Sequence, residues 1–355
     1  MDRGTRIGAW ELSVCLACIA AGCGLPSSPN TTQEPLRQPA TESDDLSRTG
    51  AVRDPSAAAA IPSIAAPDRR ELRGLGFVRI APGEFRMGSR DSKRHGAVGR
   101  FEQPEHRVRI TRAFYLSTHE VTRQVFQRFV DDTGYQTEAE RDGRGCNGLD
   151  PATGEVVRRS DFVWQHPGFP QTDDHPVVCV SWTDAREFCR WMSRQTGYEI
   201  RLPTEAEWEY ACRAGRSTRF ETGDSPRSLR GSANLADVAL RRLFLLADWS
   251  ADWDDGHAFT APVGMFHPNA FGLYDMHGNV GEWCFDWYDA EYYSQSATDD
   301  PRGPDSPTAY HVVRGGSWYN SALACRAANR HDGVPTASSQ TNGFRIAFDA
   351  ATTDR

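Results

Sequence analysis

Apolar and polar positions alternate in short runs near the start of the patterned chain and recur at helical spacing in only three places. Phe77-Val78-Arg79-Ile80 and Glu84-Phe85-Arg86-Met87 flank Pro82-Gly83, the turn signal of a hairpin, and His106-Arg107-Val108-Arg109-Ile110 alternates as a further short strand. Val121, Val125, Phe126, Phe129 and Val130 then predict an amphipathic helix that stops at Gly134. A second helix is predicted from Thr183-Asp184, burying Ala185, Phe188, Cys189 and Met192, to Gly197. A third begins with the capping box Thr204/Glu207 and carries Trp208, Ala211 and Cys212 on one face before Gly215. Beyond it the chain is rich in Gly, Asp and Trp, and Phe344, Ile346 and Phe348 alternate as a half-buried closing strand. Between Trp318 and Gly343 there is no apolar period, and a long loop anchored at both ends is usually functional. The pattern is that of one α+β domain over residues 74–350, loop-rich, with short strands and few helices.

Composition adds a core, a location and a limit on partners. Among 355 residues, 39% are hydrophobic, with ten Trp and seventeen Phe, enough apolar mass for a large core. The net charge of −8 and the absence of a basic stripe argue against nucleic acid. Arg3 and Arg6 precede the apolar run Leu12 to Ala21, followed by Gly22-Cys23, so residues 1–22 resemble a bacterial lipoprotein signal with Cys23 as the lipidated mature N-terminus. Residues 23–73, dominated by Pro, Ser, Thr, Ala and mixed charge, read as a disordered tether. The expected location is therefore export with membrane attachment through the lipid, in the periplasm or at the cell surface. In that setting Cys146, Cys179, Cys189, Cys212, Cys284 and Cys325 favour disulfides whose connectivity spacing cannot decide.

Six motifs in order carry a family resemblance: Pro82 to Ser89; His119-Glu120-Val121-Thr122; His175-Pro176-Val177 with Val180-Ser181-Trp182; Arg201 to Ala211; Phe271 to Val280 with Glu282-Trp283; and Arg314-Gly315-Gly316-Ser317-Trp318 with Gly343-Phe344-Arg345. Together they resemble the formylglycine-generating enzyme, or sulfatase-modifying factor, family. The resemblance implies a complex variant of the C-type lectin fold. It also implies an oxygen-dependent oxidation of a substrate cysteine at copper(I) held by two thiolates, the ligands a soft d¹⁰ ion wants. Here Asn320 occupies the first cysteine position, Gly281 replaces a pocket-lining Trp, and Cys325 falls by counting at the second. Cys325 also precedes Arg326-Ala327-Ala328, where the family has a structural cysteine, and the resemblance then implies a disulfide to Cys212. The family's calcium sites map onto Asn234, Leu235, Asp255 and His257, and onto Asp275, Gly278, Val280 and Glu282, a mix of carboxylates and carbonyls suited to a hard cation.

Other chemistry finds less support. His119-Glu120 lacks the second histidine of a zinc-peptidase helix, and the ten histidines include no spaced pair or triad. Ser317 follows two glycines outside any GxSxG elbow, so Ser317 and Cys325 are only candidate catalytic groups. Two functions remain. With its copper pair incomplete, the domain reads as a binding or accessory module for a protein or glycan. Its contact surface would be Trp318, Tyr319, Asn320, Ser321, Leu323, Asn329, His331 and Asp332, with Thr336, Ser338, Ser339 and Gln340 beside them. The alternative is an oxidoreductase of the sulfatase-modifying type. A narrower version of the binding reading rests on the spacing from Arg314 to Arg345, which resembles the variable region of diversity-generating retroelement targets, lectin-like receptors.

Overall fold

The computed structural model describes residues 68–90, 99–244 and 250–350. The expected signal segment, Cys23 and the tether up to residue 67 lie outside them. The folded domain starts earlier than the composition suggests. Arg69–Leu72 (β1), assigned above to the tether, pairs antiparallel with Leu75–Ile80 (β2). The expected hairpin around Pro82-Gly83 does not form either. Gly83–Met87 (β3) turns away to pair with His106–Ile110 (β4), where Arg107 grips Glu84 through two nitrogens at 3.0 and 2.7 Å. β2 is buried along most of its length and instead takes Phe114–Ser117 (β5) as its second neighbour, the arrangement an interior strand needs.

Cys146–Leu149 (β6) and Val156–Arg159 (β7) form a separate ribbon. Gly281–Trp287 (β8), His311–Arg314 (β9), His331–Gly333 (β10) and Asn342–Gly343 (β11) assemble in the order β10-β9-β8-β11, and Ala347–Asp349 (β12) completes β1-β2-β5-β12. The closing strand is buried on both sides, with Phe344, Arg345, Ile346, Ala347 and Phe348 all at 1% exposure or less, so the half-buried alternation read from the sequence is incorrect. The alternate positions are filled by Ala347 and by Arg345, which meets the Glu282 carboxylate of β8.

The helices follow their caps. Arg123–Thr133 (α1) starts at Thr122, whose side chain accepts the Val125 N–H, and ends at left-handed Gly134. A short turn, Glu138–Arg141 (α2), leads on to Trp182–Thr196 (α3), which has a Ser181/Asp184 capping box and ends at Gly197. Glu205–Arg213 (α4) carries the Thr204/Glu207 box, and Asp237 caps Val238–Leu243 (α5). α1 and α3 pack their aromatic faces together with Phe344, where Phe126, Phe129 and Phe188 meet ring to ring. Among the described residues no helix is long and apolar enough to cross a membrane.

What fixes the last segment is ionic and buried. All four arginines between residues 314 and 345 lie in the interior, each against a glutamate from an earlier element. Arg326 holds Glu102 at 2.6 and 2.7 Å, Arg330 holds Glu205 at 2.6 and 2.9 Å, Arg345 holds Glu282 at 2.6 and 2.7 Å, and Arg314 pairs with Glu209. Their remaining donors reach carbonyls: Arg314 binds those of Ala327, Ala328 and Asn329, and Arg345 those of Ser117 and Tyr274. Buried charges of this kind are tolerated because nearly every donor is satisfied.

Removing one partner should therefore be costly. Glu102→Ala strands the Arg326 guanidinium and is expected to lower the unfolding free energy in urea by about 3–5 kcal/mol, whereas Glu102→Leu with Arg326→Met should recover most of it. A single-variant loss below about 1 kcal/mol would mean the pair does not hold the segment.

Candidate functional site

The closing segment is a pinned loop with few exposed side chains. Gly315 and Gly316 adopt φ of 94° and 70°, and a Cβ on Gly316 would lie 2.6 Å from the Cys325 sulfur. The glycine pair thus lets the returning loop dock under Ser317. Trp318 is buried, its indole N–H donating to the Gln340 carbonyl and its ring packed edge-on to Phe169 and Phe259. Gln340 is buried too, accepting the Leu149 N–H at 2.8 Å, and Asn329 donates to the Ala324 carbonyl at 2.7 Å.

The expectation of a contact surface is therefore wrong for Trp318, Asn329, Ser338 and Gln340, which are buried: the polar groups of Trp318, Asn329 and Gln340 satisfy backbone groups, and the Ser338 hydroxyl is buried without a partner. Tyr319, Asn320, Ser321, His331, Asp332 and Ser339 are partly accessible, and Leu323, Val334 and Thr336 are exposed. The Ser317 hydroxyl donates to Asn320 Oδ1 at 2.8 Å and accepts from the Tyr319 N–H. Among the described residues no imidazole hydrogen-bonds to Ser317, so it lacks the base a nucleophile needs.

The cysteines also depart from expectation. Cys146 and Cys179 form a disulfide, while Cys189, Cys212, Cys284 and Cys325 are free and buried. The expected Cys212–Cys325 bridge is absent, both thiols being free, and His277 stands against both residues: its Nδ1 is 2.7 Å from the Cys325 carbonyl, and its Nε2 is 3.7 Å from the Cys212 sulfur. Cys325 sits among Phe220, Leu229, Ala233, Leu235, Trp253 and Ala322, and burial pushes its thiol up to about 12. Burial raises the Cys212 thiol as well.

The residues expected to hold calcium fall into two adjoining groups. Gly278 (φ 86°) packs against the Asn234 carbonyl, and Asn279 joins the groups: its Oδ1 accepts from Asn234 and Ala261, and its Nδ2 donates to Glu120. In the first group Asp255 accepts the N–H groups of Leu235 and His257, and burial followed by repulsion from Asp237 raises it to about 7. Asn234 Oδ1 is buried without a partner. In the second, the Gly278 N–H donates to the Gly315 carbonyl and Val280 is buried, while both Glu282 oxygens are taken by Arg345, and Trp208 donates to one of them. Asp275 Oδ1 and Glu120 Oε2 are buried and unpartnered, and burial raises both carboxyls, Asp275 to about 6.

Glu120 is absent from the expected ligands because His119-Glu120-Val121-Thr122 reads as a family motif and as an incomplete zinc motif, and neither reading gives the carboxylate a role. Among the described residues no three His, Cys, Asp or Glu groups converge on one metal position. The orphaned acceptors Asn234 Oδ1, Asp275 Oδ1 and Glu120 Oε2, with carbonyls around them, nevertheless fit a hard cation.

Comparison with known proteins places this arrangement. Residues 63–350 match the model of the sulfatase-modifying factor enzyme 1-like domain. The formylglycine-generating enzyme of Streptomyces coelicolor is 37% identical over 324 residues, covering 84% of this chain and 97% of that one. A serine/threonine-protein kinase, pkn1 of Chlamydia pneumoniae, is 34% identical over 274 residues, which is 76% of this chain but only 37% of the kinase. Treponema denticola variable protein 1 shares the C-type-lectin-like fold, with a TM-score of 0.58 at 23% identity over 81% of this chain and all of that one.

Two buried histidines, His277 and His311, and the half-buried His331 set a pH dependence. Burial, then the Arg314 and Arg326 charges, holds His331 down at about 4, and burial depresses His277 and His311 to about 4 as well. A histidine held low in the fold is protonated first in the unfolded chain, so its contribution is complete above about pH 6.5 and is lost as pH falls toward about 4. Urea unfolding across that window should show falling stability with acid, and His331→Gln should reduce the slope by about one proton. An unchanged slope in the variant would contradict the assignment.

Proposed function

The chain belongs to the sulfatase-modifying factor, or formylglycine-generating enzyme, family, and from that premise we propose that it works as an exported, lipid-anchored binding or accessory module. Its partner is a protein or glycan. The observation that carries this reading is the condition of the copper ligands: Asn320 stands at the first position, and Cys325 is a protonated thiol in an apolar cluster under Gly316. Copper(I) needs accessible thiolates, and one buried thiol beside an amide supplies neither the charge nor the softness. The kinase match is in keeping with this, since there the similar region makes up little more than a third of a larger protein.

Contact would be made by Tyr319, Asn320, Ser321, Leu323, His331 and Asp332, where aromatic, amide and hydroxyl groups on a fixed loop suit recognition. Cys23 would supply the anchor, and calcium held by Asp275 and Glu120, with Asn234 and Asp255 close by, would clamp loops that share no ladder. A variable receptor of a diversity-generating retroelement is the narrower form of this reading. It requires a near-copy of the closing segment's coding sequence beside a reverse transcriptase.

A second reading, the oxidase, is favoured by the 37% identity spanning nearly all of the Streptomyces enzyme. The two separate in one assay. Incubated with copper(I), oxygen and a cysteine-containing sulfatase peptide, the protein is expected to yield no formylglycine above a protein-free control; turnover would establish the oxidase. Calcium supports a further test. Adding calcium in excess of its dissociation constant should raise the melting temperature, by mass action on the folded state, and Glu120→Gln should remove that rise. An equal rise in the variant would take the cation away from Glu120.

A further inference from the structure

Away from the closing segment and the acidic groups, two metal-ligating side chains meet at the surface. His257 and Met265 lie eight residues apart on the loops between α5 and β8, and His257 Nε2 is 3.0 Å from Met265 Sδ. Met265 is 59% exposed, while the next residue, Phe266, is buried at 9%. Apolar packing therefore does not account for where the thioether is. Both side chains leave a fixed backbone: the His257 N–H donates to Asp255, the Val263 N–H to the Asp174 carbonyl at 2.9 Å, and the Gly264 N–H to Asp275 at 2.7 Å.

We propose that His257 Nε2 and Met265 Sδ form a surface binding site for one soft monovalent cation of the copper(I) class. A thioether and a neutral imidazole are soft and intermediate donors that select such an ion, whereas calcium and magnesium prefer oxygen. A two-coordinate d¹⁰ ion holds its donors near-linearly, so a nitrogen at about 2.0 Å and a sulfur at about 2.3 Å would stand about 4.3 Å apart. The observed pair, in direct contact, has to open by about 1.3 Å to admit the ion, which the exposed and flexible methionine stem allows. Two neutral donors leave the ion its charge, and Asp237 is the carboxylate whose field reaches His257. His175, whose Nδ1 meets Thr260 Oγ1, is an imidazole whose charge is opposed by that of His257. This site is separate from the family's thiolate pair, and its existence does not depend on whether the domain is catalytic.

The test is competition for copper(I) between the full chain and a colorimetric copper(I) chelator, in calcium-containing buffer. One equivalent is expected to be held by the unmodified protein. Met265→Leu and His257→Gln should each weaken it at least about tenfold, since even outer-shell partners of a metal are worth that much. The melting temperature of Met265→Leu should stay unchanged, because that side chain is exposed, and the half-buried His257→Gln is read against it. The proposal is overturned if the protein retains no copper(I), if both variants bind as tightly as the parent, or if alkylating the thiols alone abolishes binding. None of those results alters the formylglycine assay, so the two readings fail independently.

Discussion

The structure depends on burying guanidinium–carboxylate pairs in a domain too poor in ladders to hold its final third by backbone pairing. β10 and β11 are three and two residues long, so strand pairing alone would leave the chain from Ser317 to Thr341 loosely held. Instead Arg314, Arg326, Arg330 and Arg345 reach Glu209, Glu102, Glu205 and Glu282, which stand on a helix, a short 3₁₀ turn, the same helix and a strand. Arg314 and Arg326 also collect carbonyls of the loop itself, from Ala327, Ala328, Asn329 and Leu323, while Arg330 takes those of Phe101 and Asp289 and Arg345 those of Ser117 and Tyr274. The first two therefore fix the loop's own backbone, and the last two tie it to earlier elements. The loop becomes scaffold except at its tips.

That constraint also divides the polar interior. Glu282, Glu205 and Glu209 are matched by arginines, whereas Glu120 and Asp275 retain free oxygens and carboxyls pushed upward by burial. The matched pairs hold the fold, and the unmatched acids are the groups on which the proposed calcium site rests. The cysteines divide similarly. Cys146 and Cys179 tie β6 to the segment before α3, while Cys212 and Cys325 are free thiols whose residues both touch His277.

Local chemistry was legible in the sequence and long-range pairing was not. The three long helices were read to within a few residues because Thr122, Ser181 and Thr204 and the left-handed ends at Gly134 and Gly197 act within one turn. The motif order identified the fold and family for the same reason, since each motif is contiguous. The hairpin at Pro82-Gly83 failed because a turn signal does not say which strands will pair across it. Arg326 and Glu102 are 224 positions apart, and nothing at either position announces the other. Trp318, Asn329 and Gln340 were misplaced at the surface because side chains that satisfy buried backbone have the same composition as side chains that meet a ligand.

If the closing segment is a scaffold with mobile tips, amide hydrogen exchange should divide it in two. Trp318 donates to the Asn279 carbonyl, Ala327 to Arg219, Asn329 to Arg326 and Gln340 to Asn147, so these amides should exchange only with global unfolding, like those of β8 and β9. The amides of Leu323, Val334 and Thr336, at the exposed tips, should exchange orders of magnitude faster. Uniform fast exchange from Ser317 to Thr341 would contradict the account, because the buried arginine pairs would then not be holding the loop.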